Sequence, residues 1–287
     1  MYPKYPFYIV SKKRADSRLT GKAFDRMGID YYMVIDDDDY KSYSAVMDKN
    51  KILIMPKRYR DEYDTFDNLG DTKPKGPGCA RNFCWDHSIE NGYERHWVFD
   101  DNIRHFFWLN RNRKIYAADG TIFRAMEDFV DRYTNVAIAG PNYEMFIPRK
   151  QKINPFILNT RIYSMLLILN KIPYRWRGRY NEDTDLSLRV LKDGWCTILF
   201  NAFLGQKINT QVLKGGNTDN FYKHEGTLPK SKMQVAMHPD VSKLVWKFGR
   251  WHHYVDYTGF KANKLIKRTD IELSNKINNY GMVITKR

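Results

Sequence analysis

Short apolar runs separated by amphipathic stretches organise the first part of the chain. Pro6–Ser11 (PFYIVS), Tyr31–Asp36 (YYMVID), Lys51–Met55 (KILIM), His96–Phe99 (HWVF) and Val136–Ala139 (VAIA) have the length and composition of buried strands. Between them, Ser17–Met27, Tyr40–Lys49, Cys79–Asn91, Thr121–Tyr133 and Asp183–Asp193 bring apolar residues back at helical spacing. Gly28 and Gly194 stand where helix C-caps belong. Strands alternating with helices predict a Rossmann-like α/β domain with a mixed, mainly parallel sheet flanked by helices. From about Gly205 the pattern weakens, and Lys, Asn, His and aromatic residues take over. The expected organisation is an α/β domain over 1–205 and a basic extension over 206–287 that covers the site.

Composition narrows the class. The 287 residues are 43% hydrophobic and 15% aromatic, too apolar for a disordered chain. Three cysteines, Cys79, Cys84 and Cys196, do not make a disulfide scaffold and favour a reducing compartment. The longest strongly apolar stretch, around Ile162 to Leu169, is far short of a membrane span, and MYPKYPFYIVSKK lacks a signal-peptide core. A soluble, cytoplasmic protein without a membrane partner is expected. Oligomeric state is not legible.

Charge adds a partner class. Lys and Arg number 48 against 33 Asp and Glu, a formal charge of +15. From Pro141 to Tyr180, Arg149, Lys150, Lys152, Arg161, Lys171, Arg175, Arg177 and Arg179 are opposed by Glu144 alone. Acidic residues collect at Asp36–Asp39, Asp61–Asp71, Asp100–Asp101 and Glu182–Asp185. Basic faces around acidic islands suit a polyanion held beside a site that needs carboxylates, with a solvated surface as the plainer reading.

The chemistry concentrates in four segments. HWVFDDNI places Asp100, Asp101 and Asn102 directly after a strand, where open α/β sheets bind ligands. Adjacent carboxylates need a positive partner, and a hard divalent cation is one; a polar helix cap is the alternative. NEDTDLSLRVLKDGW puts Glu182, Asp183 and Asp185 at a helix start, after the basic approach PYRWRGRY with Arg175, Trp176, Arg177 and Arg179. A general base beside a bound polyanion and plain dipole compensation both fit. SKKRADSR supplies Ser11, Arg14 and Arg18 after the first strand, and GPGCARN supplies Arg81 and Asn82 at a helix start. In the tail, Arg250, Trp251, His252, His253 and Tyr254, with Lys247, suit stacking and phosphate contact. Neither GxxxxGK[ST] nor GxGxxG occurs, which argues against ordinary NTPases and dinucleotide oxidoreductases.

These segments together resemble a nucleotide-sugar glycosyltransferase of the GT-A fold. The blocks SKKRADSR, GPGCARN, HWVFDDNI, NEDTDLSLR, MHPDV and GRWHHYVDY, scattered over residues 5 to 258, look like the TET-associated phage glycosyltransferases. That resemblance implies a UDP-sugar donor and, as acceptor, double-stranded DNA carrying hydroxymethylated pyrimidines. It implies Mn²⁺ or Mg²⁺ held on the diphosphate by Asp100 and Asp101, with His224 completing the shell from the C-terminal extension. Asp-Asp-Asn stands here in place of a strict Asp-x-Asp, so both carboxylates remain candidates. Asp183 becomes the candidate base of an inverting transfer, with Glu182 and Asp185 next to it. Ser11, Arg14, Arg18, Arg81 and Asn82 become donor contacts, and Asp36 or Asp37 would accept from the base or ribose. If phage-encoded, the protein would work in the host-cell cytoplasm. The alternatives are a polysaccharide, lipid or protein acceptor, a metal-dependent nuclease, and a non-catalytic DNA-binding protein.

Overall fold

A computed structural model describes residues 2–67, 75–148, 153–208 and 226–271. Ten strands form one sheet. β1 (Phe7–Val10), β2 (Tyr32–Ile35), β3 (Ile52–Ile54) and β4 (Arg95–Asp100) come from the first part of the chain. β5 (Ile103–Asn110), β6 (Arg113–Tyr116), β7 (Val136–Tyr143), β8 (Phe156–Leu158), β9 (Met165–Leu169) and β10 (Cys196–Lys207) complete it. The order is β3-β2-β1-β4-β9-β7-β10-β5-β6, with β8 also on β10. Pairing is parallel through β3, β2, β1 and β4 and between β7 and β10. It is antiparallel at β4–β9, β7–β9, β10–β5, β5–β6 and β10–β8.

Helices cover both faces, which explains why β1 is apolar throughout instead of alternating. Phe7 and Ile9 face α1 (Leu19–Met27) and α5 (Thr121–Val130) in an aromatic layer with Phe24, Trp97, Phe99, Phe106 and Phe123. Tyr8 and Val10 face the opposite layer, built by Cys84 and Trp85 of α4 (Gly78–Glu90) and Leu186 and Val190 of α6 (Glu182–Lys192). Two short helices, α2 (Tyr40–Ser44) and α3 (Lys57–Asp61), flank β3. All three cysteines are free and buried. Among the described residues no helix is long and apolar enough to cross a membrane.

Several sequence boundaries shift. The helix expected to Lys49 stops at Ser44, and the strand expected to end at Ala139 runs through Gly140 and Pro141 to Tyr143. Gly140 permits this because a Cβ there would meet the Met165 carbonyl oxygen of β9 at 2.0 Å. The extension is not patternless. α7 (Leu228–Met237) precedes a hairpin of β11 (Ser242–Lys247) and β12 (Arg250–Val255). Beyond it the chain straps back over the main domain: the Asn159 amide donates to the Phe260 and Asn263 carbonyls, and Tyr133 bridges Lys267. β10 itself carries the sheet to Lys207, two residues past the expected boundary at 205.

Candidate active site

Strand direction gathers the site. β1, β2 and β4 run parallel, so Ser11, Asp36 and Asp100 emerge at one edge of the sheet. β9 runs the other way, so its preceding residue, Ser164, arrives at the same edge. β7 and β10 end there with Tyr143 and Lys207. A cleft of about 850 Å³ opens over this edge and is lined also by Lys12, Lys13, Arg14, Arg60, Arg81, Glu182, Asp183 and Lys230.

Arg81 is the hub. It is buried at the start of α4, its guanidinium 4.7 Å from the Trp176 ring. Nη2 donates to Asp100 Oδ1 at 2.7 Å, and Nη1 donates to Asp183 Oδ1 and to Glu182 Oε1 at 3.1 Å. Lys207 Nζ lies 2.7 Å from Asp100 Oδ2 and 2.6 Å from Ser164 Oγ. Ser164 Oγ donates to the same Asp100 oxygen, and Ser164 N–H donates to Asp183 Oδ2 at 3.2 Å. Ser164 holds φ +59°, a left-handed backbone for a residue that tethers both carboxylates. Tyr143 OH lies 2.8 Å from Ser164 Oγ, and the Tyr143 and Tyr163 rings stack 6.3 Å apart in the cleft wall. Asp101 is held separately. Arg14 Nη1 donates to Oδ1 and Ser11 Oγ to Oδ2, each at 2.6 Å.

Burial would raise Asp100, but Lys207 and Arg81 outweigh it and hold the carboxylate well below its usual range. Lys207 is raised in turn: burial lowers it, and the Asp100 charge overcomes that. Asp101 is pushed up by burial against Arg14 and Ser11. Burial lifts Glu182 to about 7 despite Arg81, and Asp183 rises for the same reason. Lys230 is pushed down by burial. The cleft therefore presents fixed cations beside two carboxyls of raised basicity.

Some sequence candidates do not reach the cleft. Asp185 is fully buried behind it, with Arg189 Nε at 2.8 Å, His238 Nε2 at 3.0 Å and Arg177 Nη2 at 3.2 Å. These partners lower its pKa against the effect of burial and make it a structural ion pair. Arg18 donates to the Ala15 carbonyl, Asp37 is exposed, and Asn82 clamps the Trp176 backbone at 2.8 and 3.0 Å. Asp36 lines the cleft and is ion-paired with Lys12 and Arg60. The expected DNA-facing approach is turned to internal partners. Arg175 pairs with Asp86, Arg177 with Asp185, and buried Arg179 with Asp67, while Trp176 is 2% exposed. In the hairpin, by contrast, Lys247, Arg250, Trp251 and Tyr254 are exposed, and His252 and His253 half-buried.

The metal expectation meets a full site. All four oxygens of Asp100 and Asp101 are engaged by Arg81, Lys207, Ser164, Arg14 and Ser11. Asn102 is anchored by its amide to the Ile208 carbonyl at 3.0 Å, and its buried oxygen is a single neutral donor. Among the described residues no cluster of three His, Cys, Asp or Glu side chains could hold an ion. His224, with Arg149, Lys150 and Lys152, lies outside the described residues. The donor set described does not fit a divalent cation, because binding one would displace a buried ammonium or guanidinium.

The sequence reading missed Lys207, Lys230, Ser164, Tyr143 and Tyr163. Lys207 carried a signal, as a charge ending the apolar run CTILFNAFLGQK much as Asp100 ends HWVF. Lys230 and Ser164 carried none.

The mixed α/β sheet thus carries a charged cleft over the carboxyl ends of β1 and β4. Residues 5–216 match the TET-Associated Glycosyltransferase family, and the chain belongs to that family. Among solved structures, a protein assigned as a nucleotide-diphospho-sugar transferase from Desulfovibrio desulfuricans G20 aligns at 8% identity and TM-score 0.38. The alignment covers 82% of this chain and 97% of that one. No curated protein matches.

Proposed function

We propose that the chain transfers a sugar from a UDP-sugar to the hydroxyl of a 5-hydroxymethylpyrimidine in double-stranded DNA, with inversion at the anomeric carbon. The observation that carries this reading is the convergence of Arg81, Lys207 and Lys230 on one cleft with Glu182 and Asp183. Cations of that kind hold a diphosphate and neutralise it as it leaves. Asp36, at the end of β2, accepts from the uracil or ribose. Asp183 takes the proton of the acceptor hydroxyl as its oxygen bonds the anomeric carbon and the bond to UDP breaks. Tyr143 and Tyr163 offer the acceptor base a stacking wall. A base inside a duplex is out of reach of a cleft, so the acceptor nucleotide turns out of the stack. A two-metal nuclease fits less well, since it needs carboxylate oxygens open to ions.

Thermal stability in UDP, measured separately with EDTA and with Mn²⁺, tests the donor half. A ligand bound only to the folded form raises stability. A rise with UDP in EDTA supports the cation-held donor, and no rise with any nucleoside diphosphate under either condition refutes it. Transfer of labelled sugar to duplex DNA with and without 5-hydroxymethylcytosine tests the acceptor half.

A further inference from the structure

The hairpin of β11 and β12 ends in a two-residue turn, Phe248-Gly249, between the paired residues Lys247 and Arg250. Both turn residues have positive φ, +54° and +70°. A turn of this form favours Asn-Gly, because a bulky side chain is strained in the left-handed region. Here the first position holds a phenylalanine that is 81% exposed. Its ring has Lys247 Nζ 4.9 Å from its centroid and meets the His252 ring edge to face at 6.2 Å, yet most of it faces solvent.

Its surroundings are specialised in the same direction. Residues 242–255 contain no Asp or Glu. Strand alternation places Lys243, Lys247, Arg250, His252 and Tyr254, with half-buried Val245 between them, on one face of the ribbon. The opposite face carries Leu244, His253 and Val255, half-buried toward the protein, and ends in the Trp246–Trp251 pair, whose rings meet edge to face at 5.3 Å. Trp246 is 61% exposed, so an aromatic tip projects beyond the supporting body. Both strands of the hairpin pack on α7. From α7, Lys230 lines the cleft with Glu182, Asp183 and Lys207, and Arg250 of the hairpin lies near enough to act on its charge. The ribbon therefore rises beside the mouth of the cleft.

We propose that this hairpin is a duplex wedge, in which Phe248 enters the base stack next to the acceptor nucleotide while Lys243, Lys247 and Arg250 take the flanking phosphates. An apolar side chain inserted at a base step unstacks it, and cations alongside supply the backbone affinity. Phe248 would fill the space left by the displaced base and hold that base toward Tyr143 and Tyr163. The inference rests on the DNA-acceptor reading of the cleft.

The test uses the full chain, its Phe248→Asn variant, and duplexes carrying 2-aminopurine beside a single 5-hydroxymethylcytosine. Asn is at home at positive φ, so the variant keeps the turn while losing the wedge. The wild type should raise 2-aminopurine fluorescence on binding. The variant should lose that rise, transfer sugar to the paired duplex about tenfold more slowly, and recover when the acceptor sits in a mismatch that is already open. Its UDP response should equal that of the wild type. If the wild type modifies the duplex and the variant matches it in fluorescence and rate, the wedge is refuted and the acceptor reading stands. If the wild type responds to UDP but neither binds nor modifies duplex DNA, both are refuted.

Discussion

Glu182 permits a quantitative test of the site's electrostatics. Burial lifts its carboxyl from the ordinary 4.5 to about 7, against the pull of Arg81. The unfolded chain releases that proton near 4.5. Between the two values the folded protein therefore holds more protons than the unfolded one, and stability must fall as pH rises. Across that window the loss is about 3 kcal/mol, at about 1.4 kcal/mol for each pH unit. Glu182→Gln keeps the shape and removes the titration, while Arg81 retains Asp100 and Asp183. Urea unfolding followed by tryptophan fluorescence, at steps from about pH 4 to 8, gives the stability of both proteins. Their difference should move in favour of the variant as pH rises through the window, by at most about 3 kcal/mol because Asp183 shares the raised proton affinity. Glu127, which burial also lifts to about 7, is common to both and cancels. A difference that does not change with pH, or grows in favour of the wild type, would refute the reasoning. Glu182 would then be an ordinary ion-pair partner of Arg81.

Three further substitutions separate the roles within the site. Lys207→Met removes one of the two cations on Asp100 and should weaken UDP binding by calorimetry in EDTA at least about tenfold; unchanged affinity would show that Lys207 does not meet the diphosphate. Asp183→Asn should not weaken UDP binding, since it frees part of Arg81, and should slow transfer by roughly 10² to 10⁴, the loss expected for a general base. A rate loss confined to Glu182→Gln would move the base to Glu182. Asp185→Asn should destabilise by about 3 kcal/mol or more, since it leaves Arg177 and Arg189 without their buried counter-charge, yet keep the shape of the pH–rate profile.

The parts of this protein that depend on local pattern were legible in its sequence, and the parts that depend on pairing were not. β1, β2, β3 and β4 announce themselves because each is a short apolar run feeding a polar turn. β9, although wholly buried, reads only as an apolar stretch, because MLLIL fits a buried helix segment as well as a strand. Ser164 shows the limit most clearly. It is one serine among many until an antiparallel strand brings it against Asp100 and Asp183, residues 64 and 19 positions away. The basic approach depends on pairing in the same way. Arg175, Arg177 and Arg179 look like a surface for a polyanion, but Asp86, Asp185 and Asp67 meet them in the fold. Composition counts charges without revealing which are already paired. The hairpin was the reverse case: its residues were singled out, but not Phe248, whose meaning depends on a turn geometry visible only in the backbone.

Arg81 couples the carboxyls of the cleft to one another. One guanidinium serves Asp100, Glu182 and Asp183, and Lys207 reinforces it at Asp100. A diphosphate entering the cleft competes for these cations and brings negative charge of its own. Any share of Arg81 that it draws off is lost to Glu182 and Asp183, whose carboxyls are already raised by burial. Their affinity for protons must then rise further. Donor binding should therefore take up protons near neutral pH, and the donor-loaded enzyme should hold a stronger base than the empty one. Calorimetric titrations of UDP in buffers of different ionisation enthalpy measure this directly. Near pH 7 the uptake should be a sizeable fraction of one proton, and Glu182→Gln should reduce it. Proton release, or no exchange in any buffer, would mean that the diphosphate binds without disturbing Arg81. The carboxyls would then keep the same basicity with and without donor, and binding order could not be set through them.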